Sequence, residues 1–498
     1  MILTILTCTI LILLYLKMRR TYKYWRNLNV VYVRPWPLFG YMAPSVLRLK
    51  AFPMILQKVY NVFPEQRYFG AYQFGTPVLF IRSPNLIKKI LSDDFATFPD
   101  RRIIMEANVD PLWAKNLHAM QGGNHWHNLR TALSLGLTDN HLSKMFESMK
   151  TCAKNFAYFF LDTNTESIEL LDVTSKFVND VIASTVFGVS YNSLENSRND
   201  FYLMSKDITK FNLMKVIKLF GFSKFEMLKF RIIEERTNQF YKHVVENASP
   251  HQENHLVRIL IKNGIGYDGI GDTETDKDVL DEAVAQGIHF LISGFETVFI
   301  GLSFLVYELA INANIQEKLR QEVDAISELC KDLSYGQIGK MQYLDMVVSE
   351  SLRKWPPTVL IDRKSVKPFT IEAEKVWDTT TTFNENTICL IPSFAIHRDK
   401  KYYPNPDEFD PERFSPLNRQ KIKPNTYIPF GFGPRNCIGF QFALLEIKTA
   451  VFHLLSEFEI VSTDKTKNPI KLSTSGFQLS PAGGIWVGLK PRRPLDTL

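Results

Sequence analysis

Acidic side chains are absent from the first 63 residues of this 498-residue chain, although the same stretch contains nine lysines and arginines. The net charge of the whole chain is +7, so the remaining residues together carry −2. The excess positive charge therefore belongs to the N-terminal segment, directly after an apolar stretch, which is typical of segments attracted to a membrane surface. The sequence has no basic stripe and no zinc-finger spacing, which argues against a nucleic-acid-binding protein.

Cysteine is scarce and scattered, because there are only five and no two of them have the spacing of a metal site or a redox motif. The bulk of the chain is expected to face the reducing cytosol, so a disulfide framework is not expected. Cys437 differs from the other four because of the residues around it. The others are predicted to be small, buried side chains: Cys8, Cys152, Cys330 and Cys389.

The N-terminal apolar stretch covers residues 1–16, and basic residues follow it but do not precede it. A cleaved signal peptide normally begins with positive charge and ends in small residues at a cleavage site, and this stretch has neither. We therefore expect an uncleaved signal anchor in the endoplasmic reticulum membrane, with its basic flank in the cytoplasm. A cleaved signal is the alternative. The stretch is shorter than the ~20 residues that span a bilayer, and snorkelling or a thin bilayer would absorb the difference.

The rest of the chain divides into a linker at residues 17–44 and one folded domain at residues 45–498. Pro35 and Pro37 fix φ and prevent helix formation, so the basic linker is predicted to be stiff and extended. Hydrophobic periodicity predicts a mainly α domain with a minor β part. The predicted elements are short strands at 71–82, several helices within 126–230, a polar surface loop at 251–277, one long helix at 278–326, and helices at 341–354 and 441–458.

Three glycines surround Cys437 in the segment Phe430–Gly439, and a predicted helix follows immediately. Glycine lets the backbone pass close to a large flat group and turn sharply beneath it. Amide N–H groups at the start of the helix would lower the pKa of the Cys437 thiol and stabilise a thiolate. A thiolate bound to haem iron donates electron density that favours O–O cleavage. The alternative is a glycine-rich turn in which the cysteine is incidental. The occurrence of Phe, Gly, Arg, Cys and Gly at these particular spacings argues against that alternative.

The segment Phe430–Gly439 resembles the cysteine loop of the cytochrome P-450 family at every defining position, and the resemblance extends over nearly the whole chain. It implies the mainly α cytochrome P-450 fold, a single catalytic domain and a bound haem b. Cys437 would be the axial ligand of the haem iron. Phe430 and Gly439 would belong to the haem-binding loop.

The same resemblance implies cationic partners for the two haem propionates, which are needed because buried carboxylates must be paired. Trp126 and Arg130 lie four residues apart on one face of a predicted helix, and in the family such a pair binds a propionate. Arg435 would do the same from the cysteine loop. Some family members carry a further propionate-binding arginine where this chain has Leu360. That contact is expected to be missing or supplied by another side chain.

Glu350 and Arg353 resemble the Glu-x-x-Arg helix of the family, and Arg413 resembles its later arginine motif. Residues three apart share a helix face, and burial with Arg413 would allow bidentate, charge-assisted hydrogen bonds. The resemblance implies that this triad is structural and shapes the cysteine loop. An exposed ion pair on a helix is the alternative meaning of the same spacing.

The middle of the long predicted helix, Ser293–Val298, resembles the oxygen-activation motif of the family. Gly294 would leave room for dioxygen, Thr297 would hydrogen-bond the reacting oxygen or an ordered water, and Glu296 would relay protons from solvent. The alternative is a threonine bonded to its own i−4 carbonyl beside a solvated glutamate. Ser293 departs from the small Ala or Gly usual there, which puts the substrate in more doubt than the chemistry.

The resemblance implies an NADPH- and O2-dependent monooxygenase of the microsomal branch, most like insect detoxification enzymes. Electrons would come from a separate NADPH–cytochrome P-450 reductase, with cytochrome b5 as a further candidate donor. Three lysines near the cysteine loop are candidates for docking an acidic reductase: Lys421, Lys423 and Lys448. The expected substrates are lipophilic, either xenobiotics and insecticides or endogenous lipids and hormones. The rival functions are a haem-thiolate isomerase or dehydratase acting on peroxides, and a non-catalytic ligand-binding protein on the same fold.

The substrate pocket is expected to be apolar, as is usual for sites that take membrane-soluble molecules. Phe290, Phe295 and Val359 are the candidate lining residues. Packing in the protein core is the alternative role for each of the three. The segment 201–263 matches the family poorly, so the resemblance carries no substrate specificity with it.

Overall fold

The computed structural model describes residues 21–103, 110–161, 166–209, 233–247, 255–262, 276–329, 332–374 and 378–492. The predicted anchor at residues 1–16, together with Cys8 and Cys330, lies outside the described residues. Within the described residues the fold is mainly helical with a few small sheets, which confirms the predicted fold class.

The helices follow the apolar 3.6-residue periodicity of the sequence, and most of them bury one face. They are α1 (Tyr24–Asn27), α2 (Ala43–Val46), α3 (Phe52–Tyr60), α4 (Pro84–Lys88, continued by a π-turn at Lys89–Asp93), α5 (Pro111–Lys115), α6 (Asn124–Leu135), α7 (Asp139–Phe159), α8 (Leu170–Val186), α9 (Asp200–Thr209), α10 (Glu235–Glu246), α11 (Leu256–Lys262), α12 (Asp276–Ile311), α13 (Ala313–Leu329), α14 (Tyr335–Ile338), α15 (Gln342–Lys354), α16 (Ser393–Ile396), a 3-10 turn (Pro411–Phe414), α17 (Pro416–Arg419) and α18 (Phe440–Glu457).

The strands form three small sheets, ordered β1-β2-β7-β4, β3-β9-β8 and β5-β6. The pairing of β2 with β7 is parallel, and the other pairings are antiparallel. The first sheet includes the strands predicted within 71–82. The strands are β1 (Tyr68–Gln73), β2 (Thr76–Ile81), β3 (Ile168–Glu169), β4 (Ile361–Lys364), β5 (Phe369–Ile371), β6 (Thr381–Phe383), β7 (Ile388–Ile391), β8 (Phe458–Val461) and β9 (Trp486–Pro491).

Helix α12 crosses the centre of the protein and packs against α8, α15 and α18. Its segment Leu280–Ile311 is long and apolar enough to cross a membrane, but 61% of its most apolar window is buried inside the protein. A helix that is apolar nearly all round is expected to lie in a core. This position brings the motif predicted at its middle into the interior.

The single long helix predicted at 278–326 is two helices, so that prediction was wrong at one point. The chain passes straight through three glycines of α12 and breaks instead at Asn312. The Asn312 side chain donates to the Glu308 carbonyl at 2.8 Å, and its own carbonyl accepts from the amides of Ile315 and Gln316. Asparagine ends one helix and starts the next because its side chain and backbone satisfy groups that the helix ends leave free.

The polar loop predicted at 251–277 contains a helix, α11, where the sequence turns briefly apolar. Leu256, Val257 and Leu260 are fully buried on the face that α11 turns toward α12. The short apolar run was too brief to stand out from its polar flanks. Residues 251–254 and 263–275 lie outside the described part of the chain.

The segment predicted as a linker is docked on the first sheet over most of its described part. Trp25 is fully buried, and its indole N–H donates to the Ala71 carbonyl of β1 at 2.8 Å. Further along, Gly40 forms bridges to both Trp36 and Gln73. A Cβ on Gly40, whose φ is +60°, would collide with the Tyr72 carbonyl, so this turn requires glycine. The globule therefore begins near residue 24.

Candidate active site

A cavity of about 340 Å³ lies between α12 and the loop that precedes α18. Its lining is mostly apolar, and its size is that of a pocket for a small molecule. The predicted site residues that reach it are Trp126, Arg130, Phe290, Gly294, Glu296, Thr297, Phe430, Arg435, Cys437 and Gly439.

The cysteine loop is closed by a backbone hydrogen bond from the Cys437 amide to the Phe430 carbonyl, 2.8 Å long. Gly431 and Gly433 both have positive φ, at +74° and +72°. A Cβ on Gly433 would in addition lie 1.9 Å from the Leu91 carbonyl oxygen. The glycines predicted to allow a tight turn and a close approach are therefore required by the backbone itself.

The exposed surface of the Cys437 side chain opens on this cavity. Burial raises the pKa of the thiol, while the Gly439 amide and the charges of Arg130 and Arg101 lower it by less. The expectation of a lowered thiol pKa was therefore wrong for the protein chain alone, because desolvation outweighs the amide at the start of α18. A bound metal cation reverses this balance, since coordination deprotonates a thiol outright.

Four arginines line one part of the cavity, and each comes from a different segment of the chain. Two of them, Arg130 on α6 and Arg435 in the cysteine loop, were predicted, whereas Arg101 and Arg363 were not. Arg363 lies on β4, three residues after Leu360, and supplies the further arginine that the sequence analysis missed. The Leu360 side chain packs against the core.

Arg363 and Arg435 are buried, whereas Arg101 and Arg130 are half-buried. None of the four forms an ion pair with a carboxylate of the described residues. Arg130 donates to the Asn436 carbonyl and side chain, and Arg435 donates to the carbonyls of Met120 and Pro99. Nε and Nη2 of Arg363 have no hydrogen-bond partner among the described residues. Desolvation and the charges of the neighbouring arginines hold the pKa of Arg363 well below its usual value. A buried cluster of this kind needs negative charge from outside the chain.

The donor set fits a haem. Two haem propionates would neutralise the arginines, the macrocycle would lie against the apolar lining, and the Cys437 sulfur would bind the iron. The Arg435 guanidinium lies 4.4 Å from the centre of the Trp126 ring. The Trp126 indole N–H donates to the Leu117 carbonyl at 3.2 Å, so its hydrogen bond is used within the protein. Trp126 thus packs against Arg435, and its contact with a propionate stays a prediction.

Comparison with known proteins agrees with this geometry. The family model described as cytochrome P-450 matches residues 32–487. The chain belongs to the cytochrome P-450 family. It is 34% identical to cytochrome P-450 9e2 of Blattella germanica over 93% of both chains. It is also 34% identical to cytochrome P-450 6k1 of the same insect, over 97% of this chain and 95% of that protein. Its identity to cytochrome P-450 3A14 of Cavia porcellus is 32%, over 95% of this chain and 94% of that protein.

Membership of the cytochrome P-450 family makes the chain an oxidoreductase, a haem-thiolate monooxygenase in general terms. The similarity to insect proteins of the 9 and 6 series and to a mammalian 3A protein confirms the expected branch. Family members use small-molecule substrates and redox partners, and are typically found in the endoplasmic reticulum membrane.

The oxygen-activation motif lies on the face of α12 that borders the cavity. Thr297 donates its hydroxyl hydrogen to the Ser293 carbonyl at 2.6 Å, which is the i−4 bond named above as the alternative. Its oxygen still borders the cavity and can accept a hydrogen bond. A Cβ on Gly294 would meet only Ile182, at an ordinary 3.8 Å. Packing therefore does not require glycine at residue 294, and the space that it leaves belongs to the cavity.

Glu296 is half-buried where it lines the cavity, so it is not a fully solvated surface side chain. Burial raises its pKa to about 7, against a hydrogen bond from the Gln478 side chain that lowers it. A carboxyl group with a pKa near the working pH both accepts and donates protons readily.

The predicted triad is present, although unevenly. Arg353 donates through two nitrogens to the two oxygens of Glu350, at 2.7 and 2.8 Å, and neither side chain has exposed surface. Nε of Arg413 lies 3.5 Å from the same carboxylate, which is longer than either hydrogen bond from Arg353. The Arg413 guanidinium donates instead to the Asn405 carbonyl. The exposed-pair alternative is excluded by this burial. The third member is an electrostatic neighbour rather than a bidentate partner.

Of the three candidate substrate contacts, the structure places only Phe290 in the cavity lining. Phe295 is buried in the core against Phe299, at a ring distance of 5.2 Å, and Val359 is buried in the same core. Positions 290, 294 and 297 lie on one side of α12, and residue 295 is turned away by the helical period. Phe295 and Val359 thus take the core-packing role that the sequence left open.

We predict that Arg363→Leu has opposite effects on the empty and the haem-loaded protein. Without haem, the variant should be more stable, because an unpaired buried charge is removed. With haem, loss of the cofactor should accelerate about 10- to 100-fold, since a hydrogen bond to a charged group contributes ~1.5–3 kcal/mol. Haem transfer to apomyoglobin measures the loss, and exposed Arg419→Leu is the matched control. Equal rates in both variants would contradict a propionate role for Arg363.

Proposed function

We propose that this chain is an NADPH- and O2-dependent monooxygenase that inserts one oxygen atom into lipophilic small molecules. The observation that supports this best is the shared apolar cavity, which is bordered by the Cys437 thiol and by Gly294, Glu296 and Thr297. When bound, haem with a thiolate ligand supplies the activation of dioxygen. The protein then has to hold the cofactor, admit an apolar substrate and deliver protons.

The chain's own groups divide these tasks. The arginines around Arg363 hold the cofactor carboxylates, and the apolar wall with Phe290 receives the substrate. The Thr297 oxygen accepts a hydrogen bond from a water molecule, while its hydroxyl hydrogen is donated to the Ser293 carbonyl. Glu296 passes protons, and Gln478 fixes its carboxyl group. Proton transfer of this kind contributes about 10²–10⁴-fold in rate.

Electrons are proposed to come from a separate NADPH–cytochrome P-450 reductase, with cytochrome b5 as a further candidate. A Gly-x-Gly-x-x-Gly spacing does occur at residues 264–269, outside the described residues, but helix α11 precedes it instead of the strand that a nucleotide-binding unit needs. Lys448 is buried in an ion pair with Asp345, so it does not serve docking. Lys421 and Lys423 are exposed and remain candidates.

The location that we propose is the cytoplasmic side of the endoplasmic reticulum membrane, with residues 1–16 as the anchor. The basic residues that follow would stay in the cytoplasm. The catalytic domain would then lie next to a bilayer in which lipophilic substrates dissolve.

The proposal predicts oxidation that depends on NADPH, reductase and O2 together. Full-length protein in membranes, supplied with reductase, should oxidise a lipophilic alkoxyresorufin or alkoxycoumarin, and omission of any one component should stop product formation. Rapid rearrangement of a fatty-acid hydroperoxide without NADPH would instead indicate the peroxide isomerase. Haem-loaded protein that is inert under both conditions would indicate a ligand-binding protein.

We predict that Glu296→Gln and Thr297→Val uncouple the reaction, lowering product formation by about 100-fold or more while NADPH consumption continues. Wild-type coupling should fall as the pH rises above about 7, because the Glu296 carboxyl group then loses the proton that it donates. In Glu296→Gln this pH dependence should be absent. Product per NADPH, measured from pH 6 to 8.5, checks both points, with exposed Glu459→Gln as the control. Unchanged coupling in both variants would contradict the relay.

A further inference from the structure

Two histidines interrupt the apolar lining of the cavity, and the function proposed above uses neither. His118 lies between α5 and α6, and His289 lies on α12. Their ring centres are 5.9 Å apart. Nδ1 of His289 lies 3.2 Å from Oγ of Ser293, one turn further along the helix. Imidazole rings from two distant segments thus meet at one point of the cavity wall.

Both rings are uncharged at neutral pH. Burial holds the pKa of His118 well below its usual value and lowers that of His289 to about 4, and the nearby positive charge of Arg101 acts in the same direction. A neutral imidazole keeps one N–H donor and one acceptor nitrogen. Neither nitrogen of His118, nor Nε2 of His289, forms a hydrogen bond with any of the described residues.

Polar nitrogens without a protein partner in an apolar cavity are costly unless a ligand or water satisfies them. The Ser293 hydroxyl can donate to Nδ1 of His289, and that arrangement leaves Nε2–H as a donor. Arg101 lies close enough to affect both rings, but a bound haem propionate would neutralise its charge, so it offers no free cation to a substrate. Two uncharged rings suit a dipolar oxygen better than a carboxylate, whose burial would require a cation of its own.

We propose that His118 and His289 form a hydrogen-bonding subsite that holds an acceptor oxygen of a neutral, otherwise lipophilic substrate, such as a ketone, ester or ether. This inference rests on the proposed function and narrows its substrate class. Ser293, the departure from the usual small residue, is then a positioning residue that orients the His289 ring. The subsite fixes one end of the molecule and thereby selects which carbon lies near the reacting oxygen.

The test uses haem-loaded, full-length protein and rigid probes that differ only in a carbonyl group: 9-fluorenone with fluorene, and benzophenone with diphenylmethane. Absorbance titration gives the Kd of each probe without any turnover. Wild-type protein should bind each ketone about five- to tenfold more tightly than its hydrocarbon, as one net hydrogen bond allows. In His289→Leu and His118→Leu this preference should disappear while hydrocarbon binding is retained, and Ser293→Ala should reduce it in part.

Phe290→Leu is the matched control, because it removes apolar contact and should weaken both members of each pair alike. Absence of a ketone preference in the wild type, or its persistence in both histidine variants, would overturn the proposal. His118→Leu that loses haem but keeps the preference would show that His118 serves the cofactor, and would overturn the pair. A ketone preference in a protein that never oxidises substrate with NADPH would support the subsite and refute the proposed function.

Discussion

Replacing Cys437 with alanine should abolish the red-shifted Soret band of the reduced carbon-monoxide complex, and with it all monooxygenase activity. The reason is that no other thiol borders the cavity among the described residues, so no second thiolate can take its place. The chain should nevertheless fold. The Cys437 side chain opens on the cavity, and the loop is held by its backbone amide bonded to the Phe430 carbonyl.

Cys389→Ala is the matched control for this experiment. Cys389 is fully buried on β7, and burial raises the pKa of its thiol above that of a free cysteine. Its replacement should leave the thiolate spectrum intact at a modest cost in stability. An imidazole-like band in the wild type, or a red-shifted band that survives in Cys437→Ala, would show that the iron is not held by Cys437.

The sequence predicts a feature well when its functional residue and the residues that shape the backbone around it lie within one short segment. The cysteine loop is such a case, since Gly431 and Gly433 are needed by local φ values and lie within a few residues of Cys437. The Glu350 and Arg353 pair is another, because residues three apart on a helix must share a face. In both, spacing along the chain determines spacing in the structure.

The features that were missed depend on segments far apart in sequence. Arg363 reaches the cavity because β4 turns its alternate residues inward, and a charged residue at an inward position of a short strand was the available signal. Arg101 and His118 lie in irregular segments, where no period indicates a direction. The break at Asn312 was hidden because one asparagine satisfies both helix ends, and this is visible only from its hydrogen bonds.

Breaking the Glu350–Arg353 pair should have the largest effect on stability of any change discussed. We expect Arg353→Met to lose about 3–5 kcal/mol of unfolding free energy, because it leaves a buried carboxylate without its main partner. Little haem-loaded protein should then accumulate. Chemical denaturation of detergent-solubilised protein, together with haem content per chain, measures both effects.

The chain provides a matched control, because Glu317 and Arg320 have the same Glu-x-x-Arg spacing on α13. That pair lies at the surface, and its side chains are a third to a half exposed. Exposed ion pairs contribute little to stability, so Arg320→Met should leave unfolding and haem content almost unchanged. A similar loss in both variants would mean that the spacing itself, and not the burial, accounts for the effect.

A structural role for the buried pair predicts more than a loss of stability. Arg353 also donates to the His397 carbonyl at 2.9 Å, and Nε2 of His397 accepts from the Ile428 amide at 2.9 Å, just before the cysteine loop. Removing both charges together, as Glu350→Leu with Arg353→Met, should restore much of the stability, since apolar residues often replace buried pairs well. Arg353→Met and the double variant both lose the bond to His397. If the double variant is stable but shows a shifted or heterogeneous carbon-monoxide band, the pair orients the loop that carries Cys437. A stable double variant with the wild-type band would limit the pair to folding alone.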